Sequence, residues 1–295
     1  MGNKLVVILG PTASGKSDLA VLLAKKFNGE IVSADSRQIY KGLNAGSGKI
    51  TKQEMQGIPH HLLDIANPKK KFTVAQFQTL ATKKIQEIQQ RNKLPLLVGG
   101  TGFYIQSVVD GIVIPEVKPN LKLRKTLEKK SVDQLLAMLK KLDPARAKHI
   151  DAKNPVRLIR AIEIVKATKK PVQKLEKNSS FEVLEIGISK SPDALKKAIK
   201  VRLLKRMPKM IAEVKKLRNG GLSFKRLEEL GLEYRYVAQY IQKKISKQEM
   251  TEKLQKEIEH YAKRQMTWFK KNQRIRWIKK RKEAELLLGA FLKNA

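Results

Sequence analysis

KLVVILGPTASGKS, residues 4–17, decides the fold. Residues 4–9 are an apolar, β-branched run that reads as a short buried strand, stopped at once by Gly10 and Pro11. From 17 to 27 apolar residues recur at helical spacing, at Leu19, Val21, Leu22 and Leu23, so the stretch is a strand, a loop and a helix. The loop fits G-x-x-x-x-G-K-[ST] in the setting that gives this pattern its meaning, between a strand and a helix. Gly10 and Gly15 let the backbone N–H groups of Thr12, Ala13, Ser14 and their neighbours converge on phosphate oxygens. The helix N-terminus adds partial positive charge, Lys16 supplies a mobile ammonium, and the Ser17 hydroxyl can hold Mg²⁺. Such a loop recognises phosphates and not what carries them, so ATP, GTP and a non-nucleotide diphosphate all remain open.

Working outward, further strands are expected at 30–34, 61–65 and 94–98, with a helix over 73–90 between the last two. Strands alternating with helices give an α/β class: a P-loop NTPase-like parallel sheet with helices on both faces. After Asp110 and Gly111 the pattern changes. Pro115 and Pro119 break the chain, and from 121 to 177 the periodicity is helical and highly charged, which reads as a helical insertion. Residues 181–188 alternate like a strand and return the chain to the sheet. Basic helices follow from 191, broken at Gly220, Gly221 and Gly231, with a short strand at 275–278. The expected division is a core at 1–115, an insertion domain at 116–178, and a return to the core with basic C-terminal helices at 179–295.

The 295 residues, 41% of them hydrophobic, suffice for a real core and for a second domain or a large insertion. Lys and Arg number 63 against 27 acidic residues, a net charge of +36 of which residues 116–295 carry +28. A field of that size attracts polyanions. The absence of cysteine excludes disulfides and thiolate metal sites. Apolar runs are too short to span a bilayer and no signal-peptide pattern opens the chain, so the expectation is a soluble cytoplasmic protein with no membrane partner. Nothing in the sequence demands more than a monomer.

Asp35, in SADSRQIY (33–40), follows a strand and should project from the carboxyl edge of the sheet, where open parallel sheets bind ligands. There it can take a proton from a nucleophile; alternatively Asp35 or Ser36 caps a helix running through Tyr40. The Gly99-Gly100-Thr101-Gly102 turn lies at the same edge. Its small residues would let a ligand come close, and the Thr101 hydroxyl can bond a diphosphate or an acceptor, or cap the helix from Gly102. No strand ends in the aspartate of an NTP-hydrolysing motor. His60 and His61, as strand neighbours, point to opposite faces and do not read as a metal pair. Residues 261–282 hold ten basic and no acidic residues, among them Lys263, Arg264, Lys270 and Lys271. Phosphate contacts of this kind suit RNA; the interleaved Tyr261, Trp268 and Phe269 read mostly as helix core.

GPTASGKS, SADSRQIY, GIPHHLLD, LLVGGTGFY, PVRLIRAIEI and AKRQMTWF, in that order, resemble the motif series of bacterial tRNA dimethylallyltransferases over residues 5–278. The resemblance implies dimethylallyl diphosphate as donor, its phosphates on residues 10–17. The acceptor it implies is an adenine extruded from the tRNA anticodon stem-loop, just 3′ of the anticodon. It makes Asp35 the base for the exocyclic amine and places Thr101 at the diphosphate. It also brings Asp35, Ser36, Arg37 and Gln38 to the tRNA. Arg157, Leu158, Ile159 and Arg160 become part of the tRNA contact, on an insertion that faces the anticodon. Val156 stands where the family often has Gln. GLEYR (231–235) departs from the usual Gly-Tyr-Lys/Arg, leaving Arg235 as a diphosphate or a tRNA ligand. Three rivals use the same loop, one of them a prenyltransferase acting on a free adenylate, which has little need for the basic C-terminal helices. An ATP-dependent small-molecule kinase explains the first hundred residues and leaves the +28 without purpose, and a nucleotide-dependent RNA-binding protein leaves Asp35 idle.

Overall fold

The computed structural model describes residues 3–115, 117–173 and 178–293. Six strands, β1 (Lys4–Leu9), β2 (Gly29–Ala34), β3 (His60–His61), β4 (Leu94–Gly99), β5 (Glu182–Ile188) and β6 (Arg276–Ile278), form one sheet in the order β3-β2-β4-β1-β5-β6. Every pairing is parallel. A parallel sheet needs both faces covered, and β1, β2 and β4 are buried along their whole length. Side chains of β1 alternate accordingly. Leu5, Val7 and Leu9 enter a core built with α3 (Val74–Gln90), α4 (Gly102–Val109) and later helices, while Val6 and Ile8 meet α1 (Lys16–Lys26). Each such side chain contributes about 1.5–3 kcal/mol on burial. Because all strands run the same way, the loops after β1, β2 and β4 gather at one edge.

The chain divides into two compact units. One comprises Met1–Gly111 with Ser179–Ala295, and the other is Ile112–Asn178. The first holds the sheet, α1, a short α2 (Lys52–Met55), α3, α4, and the later helices α9 (Pro192–Asn219), α10 (Phe224–Leu230), α11 (Leu232–Ile241), α12 (Lys247–Phe269) and α13 (Arg281–Lys293). Between α4 and β5 the chain forms the second unit, with α5 (Leu121–Leu127), α6 (Val132–Leu142), α7 (Pro144–His149) and α8 (Pro155–Thr168) around Leu127, Leu135, Leu139, Leu158 and Ile162. Among the described residues no helix is long and apolar enough to cross a membrane.

Three expectations change. The strand at 61–65 shortens to two residues because Leu62 (φ 62°) and Asp64 (φ 55°) adopt left-handed backbone, which ends the extended run. No helix forms through Tyr40; residues 36–39 make a turn. The helical run expected to 177 stops at Thr168, where Lys169 (φ 57°) turns the chain, and residues 174–177 lie outside the described residues.

The second unit contains a buried ion cluster. Glu163, 1% exposed, accepts from Arg124 Nε (2.8 Å) and Nη2 (2.6 Å), Arg160 Nη1 (2.5 Å) and the Asn120 amide (2.7 Å). Burial pushes its carboxyl up, and these donors outweigh it and hold the pKa down at about 2, against 4.5 ordinarily. A depressed carboxylate stabilises above its unfolded pKa, so this contribution is complete above about 4.5 and is lost as pH falls through about 2. Glu163→Gln should therefore destabilise the unit by about 2–4 kcal/mol at neutral pH. Hydrogen exchange of its helix amides measures this, and the gap from wild type should close near pH 2.

Candidate active site

The phosphate loop leaves β1 through Gly10 (φ 147°), reverses at Ala13 (φ 60°) and enters α1 through Gly15 (φ 94°). The backbone conformation favours glycine at Gly10, and a side chain there would crowd the Ile188 carbonyl at 3.1 Å. Ser14 Oγ is the one buried side-chain polar atom without a hydrogen-bond partner among the described residues. An orphan hydroxyl costs roughly 1–3 kcal/mol, and a phosphate oxygen arriving in this loop would relieve it. Lys16 Nζ is turned inward to the Pro11 carbonyl (2.6 Å). Burial, and then the charge of Arg202, lower its pKa to about 7, with Asp35 opposing them. The cradle is thus built for a charge that an anion would restore.

Beside it stand the turns after β2 and β4, held together by the Ala34–Gly99 register. Asp35 Oδ1 accepts from the amides of Arg37 (2.8 Å) and Gln38 (3.2 Å), while Oδ2 makes no hydrogen bond among the described residues. The turn therefore engages one oxygen of the carboxylate and leaves the other open. Thr101 Oγ1 accepts from the Ser36 amide (3.1 Å) and does not cap α4. Burial chiefly pushes up the hydroxyls of Tyr104 and Tyr261, and the charge of Asp35 adds to it.

The glycines of the second turn also have a packing reason that the sequence does not show. A Cβ on Gly99 would fall 2.1 Å from the Ala34 carbonyl, one on Gly100 2.3 Å from Gln265 Nε2, and one on Gly102 2.3 Å from Trp268 Cδ1. They make room for the neighbouring strand and for α12. Gln265, 6% exposed, ties the two loops. Its Oε1 accepts from the Thr12 amide (2.8 Å) and its Nε2 donates to the Gly100 carbonyl (2.8 Å).

A cleft of about 1060 Å³ opens on the phosphate loop and is walled by α9 and the loop at 42–51. Its α9 wall presents Arg202, Lys205, Arg206 and Lys209. Arg202 donates to the Gly48 carbonyl (3.1 Å) and Arg206 to those of Ala45 (2.8 Å) and Gly46 (2.7 Å). Glu213 in turn accepts from the amides of Asn44, Ala45 and Gly46. These arginines are absent from the sequence-derived site. The signal for them was the four-residue spacing of Arg202 and Arg206 on one helix face.

The structure places the remaining expected residues less uniformly. Arg235 is exposed, donates to the Glu228 carbonyl (3.4 Å) and does not line the cleft. Leu158 and Ile159 are core residues of the second unit, so their side chains are corrected out of any nucleic-acid contact. Arg157 pairs with Asp151 and Arg160 with Glu163. Lys263 and Arg264 are exposed on α12, as is Trp268, which the core reading misplaces; Phe269 is in the core.

Comparison with known proteins accords with this geometry. The IPP transferase family matches residues 38–272. The chain is 40% identical to the tRNA dimethylallyltransferase of Anoxybacillus flavithermus over 94% of its own length and 91% of the relative's. The crystal structure of the full-length tRNA isopentenylpyrophosphate transferase from Bacillus halodurans superposes with a TM-score of 0.74 at 34% identity, covering 99% of this chain and 96% of that one. A eukaryotic dimethylallyltransferase, captured in crystallographic snapshots acting on tRNA, gives a TM-score of 0.74 at 26% identity over 90% of this chain and 70% of that one. With its phosphate loop, the Asp35 turn and the α12 strap gathered at one sheet edge, the chain belongs to the IPP transferase family.

Proposed function

We propose that this protein transfers the dimethylallyl group of dimethylallyl diphosphate to the exocyclic amine of the adenine 3′-adjacent to the anticodon of tRNA, releasing diphosphate. The observation that carries the reading is the adjacency of an anion cradle, with its orphan Ser14 hydroxyl and inward Lys16, to the Asp35 carboxylate. The names of the relatives point the same way.

In the reaction the allylic C–O bond breaks, a C–N bond forms to the adenine amine, and that amine's proton passes to Asp35 Oδ2. Negative charge grows on the departing diphosphate. Lys16 and the loop amides, with Arg202 and Arg206 from α9, meet it there. Thr101 holds the Asp35 turn through the Ser36 amide, at the boundary between donor and acceptor. The adenine must be extruded, because its amine is otherwise engaged in stacking or pairing. Arg37, Gln38, Lys263 and Arg264 supply tRNA contacts, together with Arg157 and Arg160 of the insertion, and Arg235 is assigned to the tRNA.

Mg²⁺ fits this donor set. Among the described residues no cluster of three His, Cys, Asp or Glu could hold a metal by itself. Mg²⁺ bound to a diphosphate, however, needs only one or two protein oxygens, and Ser17 offers one. It would neutralise charge on the leaving group. A monomer acting in the cytoplasm, where tRNA is found, suffices for this chemistry.

The test is incubation with labelled dimethylallyl diphosphate and unmodified tRNA, and in parallel with γ-labelled ATP and small acceptors. Label on tRNA from the first donor alone is the expected result. Phosphoryl transfer from ATP would select the kinase instead.

A further inference from the structure

Trp268 and Phe103 are large apolar side chains left 39% and 36% exposed, with ring centroids 6.5 Å apart and planes at 75°. Two such rings in water need a reason, because a helix face next to a core normally covers them. The position of the indole is closely specified. Gly102 is bare beneath the indole, one residue from Thr101, and Thr101 bonds the turn that carries Asp35. The indole N–H has no protein acceptor among the described residues.

The rings also belong to a stripe. Tyr261, Arg264 and Trp268 fall at i, i+3 and i+7 on one face of α12, with exposed Lys271 just past its end. The Arg264 guanidinium lies 5.9 Å from the Tyr261 ring centre. The stripe passes over the turn at Thr101, where the Trp268 indole lies against Gly102. Aromatic and cationic groups in alternation, within 22 residues that hold ten basic and no acidic side chains, match single-stranded nucleic acid: rings for bases, cations for phosphates.

We infer that Trp268, edged by Phe103, is a stacking platform for an unpaired nucleobase next to the extruded adenine. This rests on the proposed function and adds a binding site to it. Extrusion leaves a gap in the stack of the loop, and a neighbouring base that loses its partner regains one on the indole. The platform is indifferent to base identity, because every base presents a π-face, so it recognises the opened loop and not its sequence.

The experiment compares wild type with Trp268→Leu, which keeps an apolar side chain over Gly102. Each binds a stem-loop RNA with an unmodified loop adenine, and the same RNA made abasic at the nucleotides flanking that adenine. Trp268→Leu should weaken binding of the intact RNA about tenfold and that of the abasic RNA less than twofold. An equal loss on both RNAs, or no loss on either, overturns the platform. In Trp277→Phe, where Trp268 is the sole tryptophan, the intact RNA should quench the emission; unchanged emission also overturns it. Transfer of label from dimethylallyl diphosphate is followed in the same reactions. A positive coupling without transfer by wild type would fault the proposed chemistry and leave the platform standing.

Discussion

Asp35→Asn is expected to lower turnover by about 10²–10⁴-fold while RNA affinity stays within roughly threefold. The substitution is chosen for what it keeps. Asp35 Oδ1 accepts the Arg37 and Gln38 amides, and the carbonyl oxygen of an asparagine can do the same, so the turn and its bond to Thr101 survive. What disappears is the basicity of Oδ2. Single-turnover rates at saturating donor and RNA read the chemical step directly. A matching fall in RNA affinity would make Asp35 a turn holder and not the base. Asp35→Ala should do both kinds of damage, since it removes the turn acceptor along with the charge.

Lys16→Met should lower turnover by about 10²–10³-fold, the scale of removing one preorganised donor from a developing anion. The same residue gives donor binding a pH dependence. In the free protein, burial and Arg202 bring its pKa down to about 7. A bound diphosphate favours the ammonium, so above about 7 binding must take up a proton and weakens, by up to about tenfold per pH unit. Below that value the ammonium is already present and the dependence vanishes. Calorimetry of inorganic diphosphate at pH 8, in buffers of different ionisation enthalpy, should show uptake of about one more proton by wild type than by Lys16→Met. Equal uptake by the two proteins would remove Lys16 from the linkage.

How much of this was legible from residues alone depended on how local the cause was. The strand, loop and helix at 4–26 follow from an apolar run and two glycines, and the sheet follows from alternation, including the return at Glu182–Ile188 and the short strand at Arg276–Ile278. The third strand failed because two left-handed residues, Leu62 and Asp64, carry no sequence mark as plain as glycine. The packing reason for Gly100 and Gly102 was not legible because it lies in Gln265 and Trp268, more than a hundred positions along the chain. Arg202 and Arg206 were hidden in a long basic helix whose charges all look solvated until the loop at 42–51 folds over them. Leu158 and Ile159 came in with a motif, though Leu158 and Ile162 at helical spacing already marked a core face.

The fit between the second turn and α12 also constrains how this family can vary. The missing Cβ of Gly100 is the space occupied by the Gln265 carboxamide, and that of Gly102 the space occupied by the Trp268 indole. A lineage altering either member of a pair alone would pass through a clash or a hole, so the two sites should be inherited as matched sets and drift together or not at all.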